Sequence, residues 1–246
     1  MSKKIAILSL DGGGIRGIIP GVILTYLEAR LQKLDNSDLK IGDYFDFVAG
    51  TSTGGILACA YLMPGENGKA RYSAGEAVQL YLKEGGDIFK ENIWDKIRNP
   101  WNLLTEKYSA EALEENFKNL FGDTLLSGLI KPCLISSYNI TVRNAHFFTS
   151  VDARVNEIAD FKVIDVARST SAAPTYFEPA QIQSMTGQTF NLIDGGVFAN
   201  NPALCAYAEV RKIPFSQVLQ NPDKPDQPSA KNMLLLSVGT GTVKKP

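Results

Sequence analysis

A glycine-flanked serine between a predicted strand and a predicted helix constrains the fold of this sequence more than any other feature. An aromatic and β-branched run at residues 45–49 predicts a buried strand, and the small, apolar residues 55–62 predict a closely packed helix. Gly50-Thr51-Ser52-Thr53-Gly54 joins them. In this context G-x-S-x-G is typical of a nucleophilic serine, because a sharp turn exposes the hydroxyl and the glycines let strand and helix pass closely. The helix N-terminus directs N–H groups at whatever the serine attacks. We predict that Ser52 is a catalytic nucleophile; the alternative is a simple turn.

A glycine-rich loop follows the first predicted strand, at residues 4–10. It reads Asp11-Gly12-Gly13-Gly14-Ile15-Arg16-Gly17. Gly12, Gly14 and Gly17 fit the dinucleotide pattern G-x-G-x-x-G, which requires an acidic residue ending a second strand about 20 residues on. Here a predicted helix occupies that region. The glycine amides can instead stabilise a developing oxyanion beside the serine. Arg16 either steadies the loop, attracts an anionic head group, or is an ordinary surface arginine.

The third motif places an aspartate at the end of a strand. Residues 190–193 predict the strand, Asp194-Gly195-Gly196 follows, and residues 203–210 predict a helix. Functional groups collect at strand ends in open α/β sheets, and the glycines allow close backbone approach. The alternative is an aspartate that only stabilises a turn.

A serine nucleophile needs a base, and the candidates are His146, Asp11 and Asp194. His146 is the only histidine, and it lies in an apolar, strand-like run where a packed residue is the commoner interpretation. The order serine, aspartate, histidine of an α/β-hydrolase triad fails, because His146 precedes Asp194. A Ser52–Asp194 dyad is therefore the economical interpretation, and it leaves the glycines beside Asp11 as oxyanion donors.

The remaining pattern alternates strands with helices, which predicts an α/β domain. Strands are predicted at 132–140 and 146–149, as a hairpin turning at 143–144, and a buried strand at 233–238. Helices are predicted at 77–82, 109–121 and 162–169. Residues 85–108 contain both tryptophans. This segment is equally consistent with an apolar lid over the site that can touch a lipid surface and with helices packed into the core. The helix at 18–34 carries an apolar stripe that predicts its buried face: Ile19, Val22, Ile23, Tyr26, Leu27, Leu31 and Leu34.

Composition narrows the class of protein. The net charge is −1 and there is no basic block, which argues against a nucleic-acid polymer as partner. Cys59, Cys133 and Cys205 are widely spaced in apolar surroundings, so we expect reduced thiols in a cytoplasmic protein rather than a disulfide framework or a zinc site. No apolar run approaches the 18 residues of a membrane span, and the N-terminal apolar run is too short for a signal peptide.

Taken together, the three motifs resemble the signature of the patatin-like phospholipases, in family order. Asn201-Pro202 and the strand end Leu236-Ser237-Val238-Gly239-Thr240-Gly241 also look like that family. The resemblance implies a three-layer α/β/α sandwich with a mostly parallel central sheet, of the patatin and cytosolic phospholipase type. It implies one catalytic domain over residues 1–246, with a helical, lid-like insertion at about 64–127. We expect a longer protein that continues past residue 246.

The activity implied by the resemblance is calcium-independent lipid acyl hydrolysis, of the phospholipase A or lysophospholipase type. Ser52 matches the nucleophile and Asp194 the base, and the oxyanion hole maps to Gly12, Gly13 and Gly14. Supporting positions are Arg16, Gly50, Gly54, Gly195 and Gly196. No metal or cofactor is implied. The expected partner is a phospholipid or another acyl-ester lipid at a membrane or micelle surface, including the inner face of the cell membrane, and a small-molecule activator stays open.

Three alternatives to hydrolysis stay open at this point. The same dyad could transfer the acyl group to an alcohol or carrier. The loop at residues 12–17 could cradle the phosphates of a nucleotide. A non-catalytic relative could bind lipid without cleaving it.

Overall fold

A seven-stranded sheet forms the centre of the computed structural model, which describes residues 3–79 and 117–241. Its strands are β1 (Ile5–Leu10), β2 (Phe47–Thr51), β3 (Cys133–Asn139), β4 (Asn144–Thr149), β5 (Ala180–Gln183), β6 (Thr189–Asp194) and β7 (Met233–Val238). The order is β5-β6-β3-β2-β1-β7, with β4 also paired to β3. Strands β7, β1, β2 and β3 run parallel, while β4 and β6 are antiparallel to β3.

Helices connect and flank the strands. They are α1 (Ile18–Asp35), α2 (Ile41–Tyr44), α3 (Thr53–Tyr61), α4 (Ser150–Ala153), α5 (Val163–Thr170), α6 (Gly196–Ala199), α7 (Ala203–Val210) and α8 (Phe215–Val218). Residues 74–79 and 117–121 are also helical. Residues 85–108, for which the sequence leaves a lid and core helices as alternatives, lie outside the described residues. Most of the helix predicted at 109–121 lies outside them as well.

Side chains of the parallel strands alternate between two hydrophobic cores. On β1, Ile5 and Ile7 pack into a smaller core that includes residues of α7 and α8, whereas Leu8 and Leu10 pack into a larger core that includes α3 and α5. Both faces of the sheet are therefore covered by helices. This confirms the predicted α/β/α sandwich with a mostly parallel central sheet, and it explains why the strands read as nearly continuous apolar runs.

The predicted buried face of α1 is wrong. Ile19, Val22, Ile23, Tyr26 and Leu34 of the predicted stripe are exposed, and the buried positions are Pro20, Gly21, Leu24 and Glu28. Gly21 allows a close approach, because a Cβ there would lie 2.1 Å from Cγ2 of Val78. The Glu28 carboxylate accepts hydrogen bonds from the N–H groups of Ile41 and Ala74, at 2.6 and 3.0 Å. A helical stripe is identified from its large apolar residues, so it does not reveal a contact that is made by a glycine and a buried carboxylate.

One expectation about the strands needs correction, and one strand has no counterpart in the sequence prediction. Within the described residues, the last strand, β7, lies at the sheet edge beside β1, and its Leu234 and Leu235 are exposed rather than buried. An apolar run alone does not distinguish an edge strand from a central one. Strand β5 was not predicted, because four residues with alternating burial are too short a pattern. The predicted hairpin is present, with Asn139 paired to Asn144.

Candidate active site

The ends of β2 and β6 meet on one edge of β3. Thr51, the last residue of β2, pairs with Ser136, and Asp194, the last residue of β6, pairs with Ser137. Strand β4 covers residues 134–139 on one edge of β3, so β2 and β6 share the other edge. They run in opposite directions, and their carboxyl ends therefore converge. This arrangement brings Ser52 and Asp194, 142 positions apart in sequence, into contact.

Ser52 adopts the strained turn that the sequence predicts. Its backbone angles are φ 54° and ψ −124°, between the end of β2 and the start of α3. A Cβ at Gly50 would lie 2.3 Å from the carbonyl oxygen of Gly54, and a Cβ at Gly54 would lie 2.2 Å from that of Leu10. Only glycine fits either position, so the two glycines are what allow the turn to close.

The Ser52 hydroxyl donates a hydrogen bond to Asp194. The Ser52 Oγ–Asp194 Oδ2 distance is 2.5 Å, and Oδ1 of the same carboxylate accepts from the Gly196 N–H at 2.6 Å. Asp194 is 5% exposed. This burial raises the pKa of the Asp194 carboxyl, and the hydrogen bonds from Ser52 and Gly196 oppose the shift. A buried carboxylate whose pKa is raised binds a proton more readily, as a base that must accept one requires.

The other two candidate bases lie in different surroundings. His146 packs among the rings of Phe148, Phe161 and Phe190, with centroids 4.6 to 6.1 Å away, as the packed interpretation predicts. Burial lowers the pKa of His146 to about 4. Burial raises the pKa of the Asp11 carboxyl, and the nearby Asn201 side chain opposes the shift. Within the described residues, the hydroxyl of Ser52 bonds to neither of them.

The glycine loop lies directly against the serine. A Cβ at Gly12 would lie 3.2 Å from Cβ of Ser52, and Thr53 Oγ1 donates to the Gly14 carbonyl at 2.8 Å. The Gly12 N–H, however, donates to the carbonyl of Asn200 at 3.0 Å, so it has an acceptor within the fold. The sequence predicted three oxyanion donors, and this hydrogen bond removes Gly12 from them. Gly13 and Gly14 stay candidates.

The Arg16 side chain connects the glycine loop to the segment after β7 by a hydrogen bond. Its Nη1 donates to the carbonyl of Gly241 at 3.1 Å, on the loop that follows β7. The side chain is on the exposed side of the turn. Of the interpretations left open by the sequence, this hydrogen bond fits the one in which Arg16 steadies the loop.

Sequence reasoning missed several polar groups that hold the site. The Ser52 N–H donates to Thr170 Oγ1 at 2.9 Å, and that hydroxyl donates to the Ser136 carbonyl at 2.7 Å. The Thr51 hydroxyl donates to the Ala199 carbonyl at 2.7 Å. These contacts span 34 to 148 positions of sequence, and no local pattern marks them.

Exposed apolar side chains follow the Asp194 turn. Val197 is 49% exposed and Phe198 is 41% exposed. Phe198 packs beside Tyr138 and Phe147, with centroid distances of 6.2 and 5.7 Å. Over residues 3–79 and 117–241, there is no group of three or more histidine, cysteine, aspartate or glutamate side chains placed to hold a metal ion. None of the helices described is long and apolar enough to cross a membrane.

Comparison with known proteins places this arrangement in a family. The patatin-like phospholipase family model matches residues 8–207. Patatin-like protein 2 of Oryza sativa subsp. indica is 36% identical over 251 residues, covering 98% of this chain and 62% of that protein. Patatin-like protein 1 of Arabidopsis thaliana is 38% identical over 255 residues, with 98% and 60% covered. The chain belongs to the patatin-like phospholipase family.

The relatives are longer than this chain. Patatin group J-1 of Solanum tuberosum is 36% identical over 252 residues, and the match again covers 98% of this chain but 62% of the relative. The chain therefore spans about three fifths of the length of the curated relatives that it matches. Among solved structures, VipD from Legionella pneumophila aligns with a TM-score of 0.43 and 14% identity, over 99% of this chain and 51% of that one.

Proposed function

We propose that this chain is a lipid acyl hydrolase that uses Ser52 as nucleophile and Asp194 as general base. The single observation that carries the proposal is the 2.5 Å hydrogen bond from Ser52 Oγ to Asp194 Oδ2, at a strained turn beside a glycine loop. Family membership supports the same chemistry. The substrate class that we propose is a phospholipid, a lysophospholipid or another acyl-ester lipid.

The reaction has two steps. Ser52 Oγ attacks the ester carbonyl carbon as its proton passes to Asp194 Oδ2, and the oxyanion accepts hydrogen bonds from backbone N–H groups of the glycine loop. The alcohol leaves with the proton from Asp194, and Ser52 keeps the acyl group. Water then loses a proton to Asp194 as it attacks the acyl-serine, and Ser52 Oγ takes that proton back from Asp194 as the fatty acid leaves. No step requires calcium, because backbone N–H groups stabilise the negative charge.

The apolar surroundings of the site support a lipid substrate. Val197 and Phe198, which follow the Asp194 turn, present exposed apolar surface, and burying such surface against an acyl chain is favourable by about 25 cal/mol per Å². We propose that the chain acts at the surface of a membrane or micelle. A cytoplasmic location and one catalytic domain with an insertion at about 64–127 are parts of the same proposal; the three free cysteines support the location.

The test is hydrolysis of a medium-chain p-nitrophenyl ester in the presence of a calcium chelator. Ser52→Ala and Asp194→Asn should each lower kcat/KM by roughly 10⁴-fold, because the nucleophile or its base is lost. A matched control is Asp160→Asn. Asp160 is also a buried carboxylate that accepts a serine hydroxyl, from Ser127 Oγ at 2.6 Å, but it lies outside the site.

The control separates loss of chemistry from loss of fold. Asp160→Asn should destabilise the protein while kcat/KM stays within about threefold of wild type. Wild-type activity that survives in Asp194→Asn would overturn the dyad. Activity that disappears on chelation and returns with calcium would overturn the calcium-independent mechanism.

A further inference from the structure

One peptide plane of the glycine loop is held by side chains from two distant segments. The carbonyl oxygen of Gly12 accepts a hydrogen bond from Thr240 Oγ1 at 3.0 Å and another from Asn200 Nδ2 at 3.3 Å. Thr240 is 5% exposed, so its hydroxyl is shielded from water. Both donors lie more than 180 positions away in sequence.

The orientation of that carbonyl fixes the orientation of the next N–H. The Gly12 C=O and the Gly13 N–H belong to the same trans peptide, in which the two groups point in opposite directions. A bond that holds the Gly12 oxygen toward Thr240 therefore holds the Gly13 N–H away from it. Across the described parts of the chain, no acceptor is assigned to the Gly13 N–H.

This peptide needs an external constraint. It lies between two glycines, and the absence of Cβ atoms makes rotation of the peptide plane easier there than elsewhere. In the rotated state the Gly12 oxygen replaces the Gly13 N–H. A carbonyl oxygen in that place repels a developing oxyanion instead of stabilising it. The rotated state also leaves the buried Thr240 hydroxyl without this acceptor, which is unfavourable.

We propose that Thr240 and Asn200 are positioning residues. Their hydrogen bonds hold the Gly12–Gly13 peptide plane in one orientation, in which the Gly13 N–H serves as an oxyanion donor. Packing supports the same assignment, because a Cβ at Gly13 would lie 2.4 Å from Thr240 Oγ1 and 2.7 Å from Cγ2. The side chain of Thr240 thus lies directly on the loop. The inference rests on the proposed function, since the oxyanion arises from attack by Ser52.

The test compares two substitutions at one position. Thr240→Val keeps the branched shape and removes the donor, whereas Thr240→Ser keeps the hydroxyl. Thr240→Val should lower kcat about tenfold with KM changed less than twofold, because only the transition state carries the oxyanion. Thr240→Ser should keep at least half of kcat. Thr240→Val combined with Asn200→Ala should approach the roughly 100-fold loss expected when one oxyanion donor is removed.

Thr25→Val is the matched control. Its hydroxyl donates to the Gly21 carbonyl at 2.9 Å, within helix α1, and its methyl group lies near Gly75. Thr25→Val should leave kcat unchanged, because it removes a hydroxyl of the same kind without touching the glycine loop. The inference is overturned if Thr240→Val keeps kcat within twofold of wild type, or if Thr240→Ser is impaired as strongly as Thr240→Val.

A second readout does not depend on turnover. In Thr240→Val the amide resonance of Gly13 should split or broaden by exchange between two peptide orientations, while Thr240→Ser and Thr25→Val keep one sharp resonance. Wild type and Ser52→Ala belong in the same kinetic series. If wild type hydrolyses no ester, the proposed function fails by itself, and a single sharp Gly13 resonance in Thr240→Val would overturn the positioning role independently.

Discussion

Ser52 holds a backbone conformation that few residues other than glycine adopt, and its neighbours hold it there. Such a conformation costs on the order of 1–3 kcal/mol and persists only where the surroundings over-determine it. Here the Ser52 N–H donates to Thr170 Oγ1, and its carbonyl accepts from the Ile56 N–H at 3.0 Å. The strain keeps the hydroxyl at the strand end, where Asp194 receives its hydrogen bond.

The pH dependence of hydrolysis should report the Asp194 carboxyl. Burial raises its pKa above the ordinary 3.8. Below that raised pKa the carboxyl carries a proton and cannot accept one from Ser52, so kcat/KM should fall as the pH drops through it and reach a plateau above it. A pH profile of kcat/KM gives the midpoint, which should lie above 3.8.

His146→Phe controls for a second candidate base that titrates in acid. It preserves the ring packing and removes an imidazole whose pKa is about 4. The acid limb should survive this substitution with its midpoint unchanged. An acid limb that disappears in His146→Phe would assign the proton transfer to the histidine and contradict the dyad.

Local sequence patterns indicate the proposed reacting groups more clearly than they indicate the groups that hold them in place. G-x-S-x-G carries the requirement for a tight turn in its own glycines, so Ser52 and its backbone were predictable locally. Thr170 was not, because it lies 118 positions away and a threonine in a helix carries no special signal. Gly12 is predicted as an oxyanion donor for a similar reason. Its N–H donates to the carbonyl of Asn200, which is distant in sequence, and no local pattern reveals that hydrogen bond.

Among the elements, α1 shows where periodicity is insufficient. The order of strands and helices followed from apolar runs and glycine turns. The buried face of α1 did not, because the helix is apolar on more than one side and its true contact is made by Gly21, Leu24 and Glu28. A close helix contact favours a small residue, and a buried carboxylate is satisfied by backbone N–H groups that come from other segments.

Stability measurements can distinguish the two faces of α1. Leu24→Ala removes a fully buried side chain and should lower the free energy of unfolding by about 2–5 kcal/mol. Val22→Ala removes apolar carbon from a residue that is 57% exposed, and it should change that free energy by less than about 0.5 kcal/mol. Urea denaturation followed by circular dichroism measures both. If Val22→Ala lowers the free energy of unfolding as much as Leu24→Ala does, the stripe predicted from the sequence is a buried face after all.

At the level of the whole molecule, the site exists because two strands share one edge of β3. Thr51 and Asp194 occupy neighbouring positions of that edge, so the register of the sheet sets the distance between the proposed nucleophile and the proposed base. Each motif was recognisable in the sequence. Their meeting depends on the pairing of β6 with β3 beyond the end of β2, which a linear pattern does not contain.

The central claim is that Ser52 is the activated nucleophile, and covalent trapping tests it most directly. The protein is incubated with a long-chain alkyl fluorophosphonate, which leaves a stable adduct on a reactive serine, and the adduct is located by peptide mass spectrometry. Ser127 is an internal comparison, because it also donates to a buried carboxylate but lacks the strained turn and the glycine loop.

We expect one adduct, on Ser52, that is absent in Ser52→Ala and forms about 100-fold more slowly in Asp194→Asn, where no carboxylate accepts the proton. Ser127 should stay unlabelled. Labelling of Ser127 or another serine at the same rate, or labelling of Ser52 that is equally fast in Asp194→Asn, would contradict the central claim.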